Sequence, residues 1–332
     1  MSTPGKFAFS VFLLLFHVIV CKSQDFNEQY FNRLKIADAL YKMQKYRDAA
    51  ILYNRIFEEN GDKAYVPDRY AAAKAWAKAN NADSAFFHLF RIIERVKYNE
   101  VEKVENDSSF LSLHRHPRWK AALDNMMRNK QEEEALIAIL DSVFEDDQRF
   151  RLKVDETVAR FGRESIEMKK LDSLISSADS INQIKVTRIL DHYGWPGQFS
   201  IGSRGIAIFL VLQHADLSVQ EKYLPQITAG VNAGDLEADK LALFEDRIAV
   251  SRGDCQTYGT QIGFDNKSQR HYILPVLDPE HVDQRRQEIG LGPIAEYVAA
   301  WHIKWDKIKY KREIRKLLGK KHLKDFECLN KK

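Results

Sequence analysis

From Ile206 to Leu212 the sequence reads Ile-Ala-Ile-Phe-Leu-Val-Leu, an unbroken apolar run with no polar face. Such a segment must be buried on all sides, and the rest of the chain has to supply the layers that cover it. Its length also fits a central strand. The helical patterns on either side favour a helix, as does the continuation into Gln213 and His214 without a turn signal. The chain then turns polar at once, with Gln213, His214 and Asp216 held against the core. A buried element that delivers polar side chains at its tip is where a site is expected.

The first residues have a different purpose. Lys6 precedes an apolar run from Phe7 to Val20, broken only by Ser10 and His17, and Cys21-Lys22-Ser23 follows. This is the pattern of a secretory signal peptide over residues 1–23, too short for a membrane span. The competing reading is a lipoprotein anchored through Cys21, which bulky Val20 argues against. Export to the periplasm or the outside is therefore expected. Of the remaining cysteines, Cys255 and Cys328 could pair, but two cysteines make no disulfide framework.

Charge is unevenly spread. The formal net charge is +4, yet Lys304 to Lys332 holds twelve Lys/Arg against four Asp/Glu. The basic character thus belongs to a tail over 303–332, and no nucleic-acid partner is expected.

Residues 24–130 read as helical hairpins. Ala37, Leu40, Tyr46, Ala49, Tyr53 and Ile56, closed by Gly61, have the spacing of one tetratricopeptide-like unit. Ala73, Trp76, Ala82, Ala85 and Leu89 form a weaker copy, and the segment from Asp107 to Trp119 reads as the capping turn. The resemblance is to the tetratricopeptide superfamily. So short an array leaves an apolar face, so it should pack on a neighbour, either the next domain or a protein or cell-wall partner. His114, His116 and Trp119 are read as packing in the cap.

Residues 131–302 form the second region. An amphipathic helix through Leu136, Leu140, Val143 and Phe144 should end near Asp146 to Arg151. Another, carrying Leu171 and Leu174, should close at the turn-prone Ser176-Ser177-Ala178-Asp179-Ser180. Pro196 and the flanking glycines break the chain before the buried run. Ser218-x-x-Glu221 has the form of a capping box, opening a helix with Tyr223, Leu224, Ile227 and Val231 on one stripe. A further helix turns Leu241, Phe244 and Ile248 inward. Alternation from Gln256 to Phe264, a turn at Asp265 to Ser268, and His271 to Val276 predict one β-hairpin within about 256–277. Helices from Pro279 and from Pro293 follow. Trp301, Trp305 and Ile308 have the spacing of one stripe if the last helix runs on past Trp305. The fold class is therefore mainly α, a short tetratricopeptide-like array followed by a helical domain with one small hairpin.

Several short motifs stand out in this second region. They are Asp147-Gln148…Arg151, Gly194-Trp195-Pro196, Gln213-His214-Ala215-Asp216, Asp246-Arg247, Gln256-x-Tyr258-Gly259-Thr260-Gln261 and Asp283-x-Arg285-Arg286. With them the stretch 131–302 resembles a bacterial family of unknown function. The resemblance implies that these positions belong together, and it brings no assigned chemistry.

Read chemically, His214 is the candidate for proton transfer, because histidine titrates near neutral pH, with Asp216 or Asp246 to orient it. A histidine at a helix C-terminus is also placed well by the dipole alone. Asp246 and Arg247 could form an internal ion pair with Arg285 or Asp283. Gln256, Tyr258 and Gln261 offer groups that hydrogen-bond sugar hydroxyls or peptide backbone. Trp195 could stack on a sugar ring or fill the core. No nucleophile elbow, phosphate loop or cysteine–histidine metal spacing is present, so no cofactor or metal is expected. Two functions stay open. One is a binding or assembly module of the cell envelope. The other is a hydrolase or lyase using His214 with Asp216 or Asp246. The basic tail could touch an anionic membrane surface weakly or close the fold as a docked helix.

Overall fold

The computed structural model describes residues 28–265 and 268–322. The proposed signal peptide, Cys21, Cys328 and the last residues of the tail lie outside them. The described chain is mainly helical with one two-stranded antiparallel sheet. It divides into two compact units, the first 28–138 with 198–201 and the second 139–197 with 202–322. No helix among the described residues is long and apolar enough to cross a membrane.

The first unit begins with two helical hairpins, α1 (Glu28–Lys42) with α2 (Tyr46–Glu59) and α3 (Val66–Lys78) with α4 (Ala82–Arg95). The connections are short, so consecutive helices lie side by side. Alanines let them approach: Ala37, Ala49, Ala73 and Ala85 are fully buried. Tyr53, Phe57, Phe86 and Leu89 fill the space between. The Asn81 side chain accepts from Ser84 N at 3.0 Å and opens α4. Helix α5 (Val101–Asn106) and a 3₁₀ turn (Ser108–Leu113) end the array. There Trp119 is buried and His114 stacks on it at 4.5 Å. Helix α6 (Pro117–Arg151) begins in this unit and ends in the other.

In the second unit α7 (Val154–Phe161) leads to α8 (Ile166–Tyr193), capped by Ser165, whose hydroxyl accepts from Met168 N. The turn expected at 176–180 does not form, and α8 runs straight through it. Its serines are satisfied inside the helix, since Ser177 donates to the Ser173 carbonyl and Ser180 to that of Ser176. Leu174 is exposed while Leu171 is buried, so they do not share one inner stripe. Gly194 ends α8 at φ 68.

The apolar run is a helix, α9 (Gly205–His214), and every residue from Ala207 to Gln213 is buried. Around it pack α8, α10 (Leu217–Ala233) and α11 (Ala238–Arg252). Helix α10 begins directly after Asp216, so Ser218 lies within its first turn and the expected Ser218–Glu221 box does not form; Glu221 accepts from Arg252 at 2.6 Å. The hairpin is shorter than expected. Strand β1 (Ile262–Asp265) pairs with β2 (Arg270–Ile273), with Ile262 opposite Ile273 and Asp265 opposite Arg270. Gln256 makes only an isolated parallel bridge to Val276. The segment before β1 is held by side chains and not by a ladder, as described below.

Helices α12 (Val282–Glu288) and α13 (Ile294–Ala299) follow, and the chain breaks before α14 (Lys307–His322). The single stripe through Trp301, Trp305 and Ile308 therefore does not exist. Trp301 and Trp305 lie in the connection and pack on the small core of Ile273, Val276, Ile294 and Val298, whereas Ile308 is exposed. Positive φ at His302 turns the chain there.

Candidate functional site

Helix α9 ends at His214, whose position follows from the run before it: seven apolar residues fix the helix rotation, and the last turn emerges beside α6 and α8. His214 Nδ1 lies 3.2 Å from Asp147 Oδ1, and Asp147 is almost wholly buried. The Gln148 amide donates to the other oxygen, Asp147 Oδ2, at 2.7 Å. One turn along α6, Arg151 places Nη1 3.8 Å from Asp147 Oδ1 and Nη2 2.8 Å from Asp179 Oδ1. Asp179 comes from the middle of α8. Three helices thus bring one imidazole, two carboxylates and one guanidinium together.

Burial pushes the Asp147 carboxyl up. The hydrogen bond and charge of His214, the Arg151 guanidinium and the Gln148 amide outweigh it and hold the group below the usual carboxylate range. Asp147 is therefore the anion, and the hydrogen bond places a proton on His214 Nδ1. No group among the described residues bonds Nε2. That nitrogen keeps its lone pair free to take a proton.

The donor atoms of Asp147, Asp179 and His214 lie within 4.8 Å of one another, a set able to hold a metal ion. Arg151 already sits against both carboxylates and supplies positive charge there.

The orienting carboxylate is Asp147, not Asp216 or Asp246. Asp216 is exposed at the start of α10. Asp246, on α11, is completely buried and accepts from the amides of Thr257, Tyr258 and Thr260 and from the Thr260 hydroxyl. Burial pushes its carboxyl up against these donors. It fixes the loop before β1 and makes no ion pair with Arg285. Arg285 donates instead to the carbonyls of Thr257, Leu277 and Asp278, and Asp283 accepts from Ile294 N.

The amide-rich segment is likewise turned inward. Gln256 donates to the carbonyls of Gln261 and Leu274 and accepts from Gln261 N, while Gln261 donates to the Leu243 carbonyl. Tyr258 is half-buried and hydrogen-bonds Glu245. Gln213 reaches the Leu243 carbonyl at 3.4 Å. Arg247 is largely buried, which lowers the affinity of its guanidinium for the proton. Trp195 is buried against Gly205 and Gly230, where a Cβ on Gly230 would stand 2.5 Å from the indole. It fills the core and is not open to a sugar ring. Of the expected site residues only His214 enters the four-residue cluster; Asp147, Arg151 and Asp179 complete it.

A family model described as a family of unknown function, DUF6624, matches residues 134–307. The chain belongs to DUF6624. No curated protein and no solved structure matches it. The DUF6624 region opens in α6 and closes at the first residue of α14, so it contains all four cluster residues.

Proposed function

We propose that the DUF6624 domain is an acid–base site of the hydrolase or lyase class, carried by an exported cell-envelope protein. The observation behind this reading is the His214–Asp147 hydrogen bond, with Asp147 buried and His214 Nε2 unbonded by the protein. In this reading Nε2 takes a proton from water or from a substrate carbon or hydroxyl, and Asp147 stabilises the imidazolium that forms. The same proton then returns to the leaving group. The full chain should turn over at least one member of a panel of esters, amides and wall glycopeptides. His214→Gln and Asp147→Asn should each lower that rate about a hundredfold or more. Turnover that survives His214→Gln overturns the reading.

Export is supported by the N-terminal pattern of Lys6, the apolar run to Val20 and the small residues that follow. A second role rests on the helical hairpins. Phe31 and Tyr65 are exposed and stacked at 6.2 Å, and Ile36 and Phe87 are more than half exposed. Such residues suit capture of a protein or wall partner by the repeat unit, leaving the chemistry to the DUF6624 domain. Weak contact of the basic tail with an anionic surface fits the same setting.

A further inference from the structure

We propose that the outer face of α8 is an interface on which a second copy of this chain pairs antiparallel, seated on Leu174, Ile181 and Ile184. The inference goes beyond the acid–base reading of His214 and does not depend on it.

Helix α8 has two faces of different kind. Inward it buries Met168, Leu171, Asn182, Val186 and Ile189, and on this side Asp179 meets Arg151. On the opposite side Lys170, Leu174, Ser177, Ile181, Ile184 and Arg188 follow at alternating steps of four and three, the spacing of a seam between two paired helices. Leu174, Ile181 and Ile184 are 48%, 55% and 52% exposed there. Half-exposed aliphatics on one line form a continuous apolar strip, unlike the single residues scattered over an ordinary surface.

What fits this strip is its own copy. Turned end for end about a two-fold axis level with Asp179, the seam sets Leu174 opposite the second copy's Ile184 and Ile181 opposite its Ser177. The branched side chain then enters the gap that the small one leaves. A parallel pair would set Ser177 on Ser177 and leave that gap empty.

The charges agree with this pairing. Each end of the seam brings Glu167 and Lys170 of one copy against Arg188 and Asp191 of the other. At helical spacing the two acids fall on opposite sides of the seam with the two bases between them, so each end is balanced. Glu167, Lys170 and Arg188 make no ion pair among the described residues, while Asp191 holds Lys222 at 3.0 Å.

The size of the seam sets its strength. From Glu167 to Asp191 it runs about 36 Å, and at roughly 10 Å wide each copy contributes about 360 Å². The total lies below the roughly 1,200–2,000 Å² of a stable complex, so the dimer is reversible. Asp179 lies on the inner face, so the pairing does not cover it.

The test is sedimentation equilibrium of the full chain. The average mass should rise from one chain toward two between about 1 and 100 µM. Ile181→Glu, at an exposed position, should raise the dissociation constant about thirtyfold or more. Glu167→Lys and Arg188→Glu each leave surplus like charge at both ends and should weaken the dimer about tenfold, whereas the doubly reversed chain should recover to within about threefold. The two residues lie about 32 Å apart on one helix, so one can rescue the other only across an antiparallel pair. A chain that stays monomeric to about 100 µM overturns the proposal, whether or not it sediments with vesicles. So does a dimer that Ile181→Glu leaves intact, because its interface then lies elsewhere, and so does a doubly reversed chain that pairs no more tightly than the single ones. If Ile181→Glu does not fold, the charge reversals decide alone.

Discussion

Thr260 donates twice to one carboxylate oxygen, Asp246 Oδ2, from its amide and from its hydroxyl, both at 2.9 Å. With the amides of Thr257 and Tyr258 on the same carboxylate, the pair ties the loop before β1 to α11. Asp246→Ala would strand four donors and should cost about 3 kcal/mol or more, whereas Thr260→Val removes the two bonds of the hydroxyl, to Asp246 and from Gln261 Nε2, and should cost about 1–2 kcal/mol. Urea unfolding of both variants checks this. An Asp246→Ala protein that keeps wild-type stability yet loses activity would return Asp246 to the chemistry.

Gly230 and Trp195 make a second test of what is structural. A methyl on Gly230 would lie 2.5 Å from Trp195 Cε2, inside the indole's own space. Gly230→Ala should therefore destabilise by about 1–3 kcal/mol through overpacking. Pairing it with Trp195→Leu should bring a total loss smaller than the sum of the two single losses, because the shorter side chain vacates that space. Strict additivity in a double-mutant cycle would show that the two do not meet.

How far the sequence discloses the site depends on distance along the chain. Helix α9 is legible because Ile206 to Leu212 has no polar face, and its polar tip at His214 follows directly. The partner of His214 is not legible. Asp147 precedes it by 67 residues, inside a run of acids and bases that reads as a solvated helix end. Asp179 is hidden by its serine neighbours, which look like a turn until their hydroxyls are seen bonding the helix carbonyls. The segment from Gln256 to Gln261 alternates like a strand, yet its polar groups serve Asp246 and one another. Local pattern records which residues are buried. It does not record which distant charge each one meets.

In the repeat unit His88 sets a pH dependence. Asn54 Oδ1 accepts from Trp76 Nε1 at 3.1 Å and pairs with His88 Nε2 at 2.9 Å. Burial, reinforced by Arg69 and Arg91 and opposed by Asp62, pulls the His88 imidazole down to about 4. The unfolded chain, with an ordinary histidine near 6.5, binds the proton more readily. Stability from this group is therefore complete above about pH 6.5 and falls as the pH drops toward 4, by about 3 kcal/mol in all. Urea midpoints followed by Trp76 and Trp119 fluorescence should show that loss in the wild type and a shallower acid limb in His88→Gln. An identical acid limb in the variant would count against it.

The basic tail is anchored at two points. Tyr310 donates to the Leu274 carbonyl at 2.9 Å and accepts from Val276 N at 2.8 Å, and Ile314 is buried. Both lie in the first half of α14, so the anchor and the outer basic residues can be separated. Deleting Lys316 to Lys332 removes six lysines and leaves both anchors. The thermal midpoint should stay where it is. Sedimentation with anionic vesicles at low salt should drop sharply, since each basic residue near such a surface contributes about 1 kcal/mol. Extending the deletion to Lys307 removes Tyr310 and Ile314 as well, and this longer truncation should lower the midpoint by exposing the core of Ile273, Val276 and Ile294. A protein cut at Lys316 that sediments as well as the full chain would show that the outer tail is not the membrane contact.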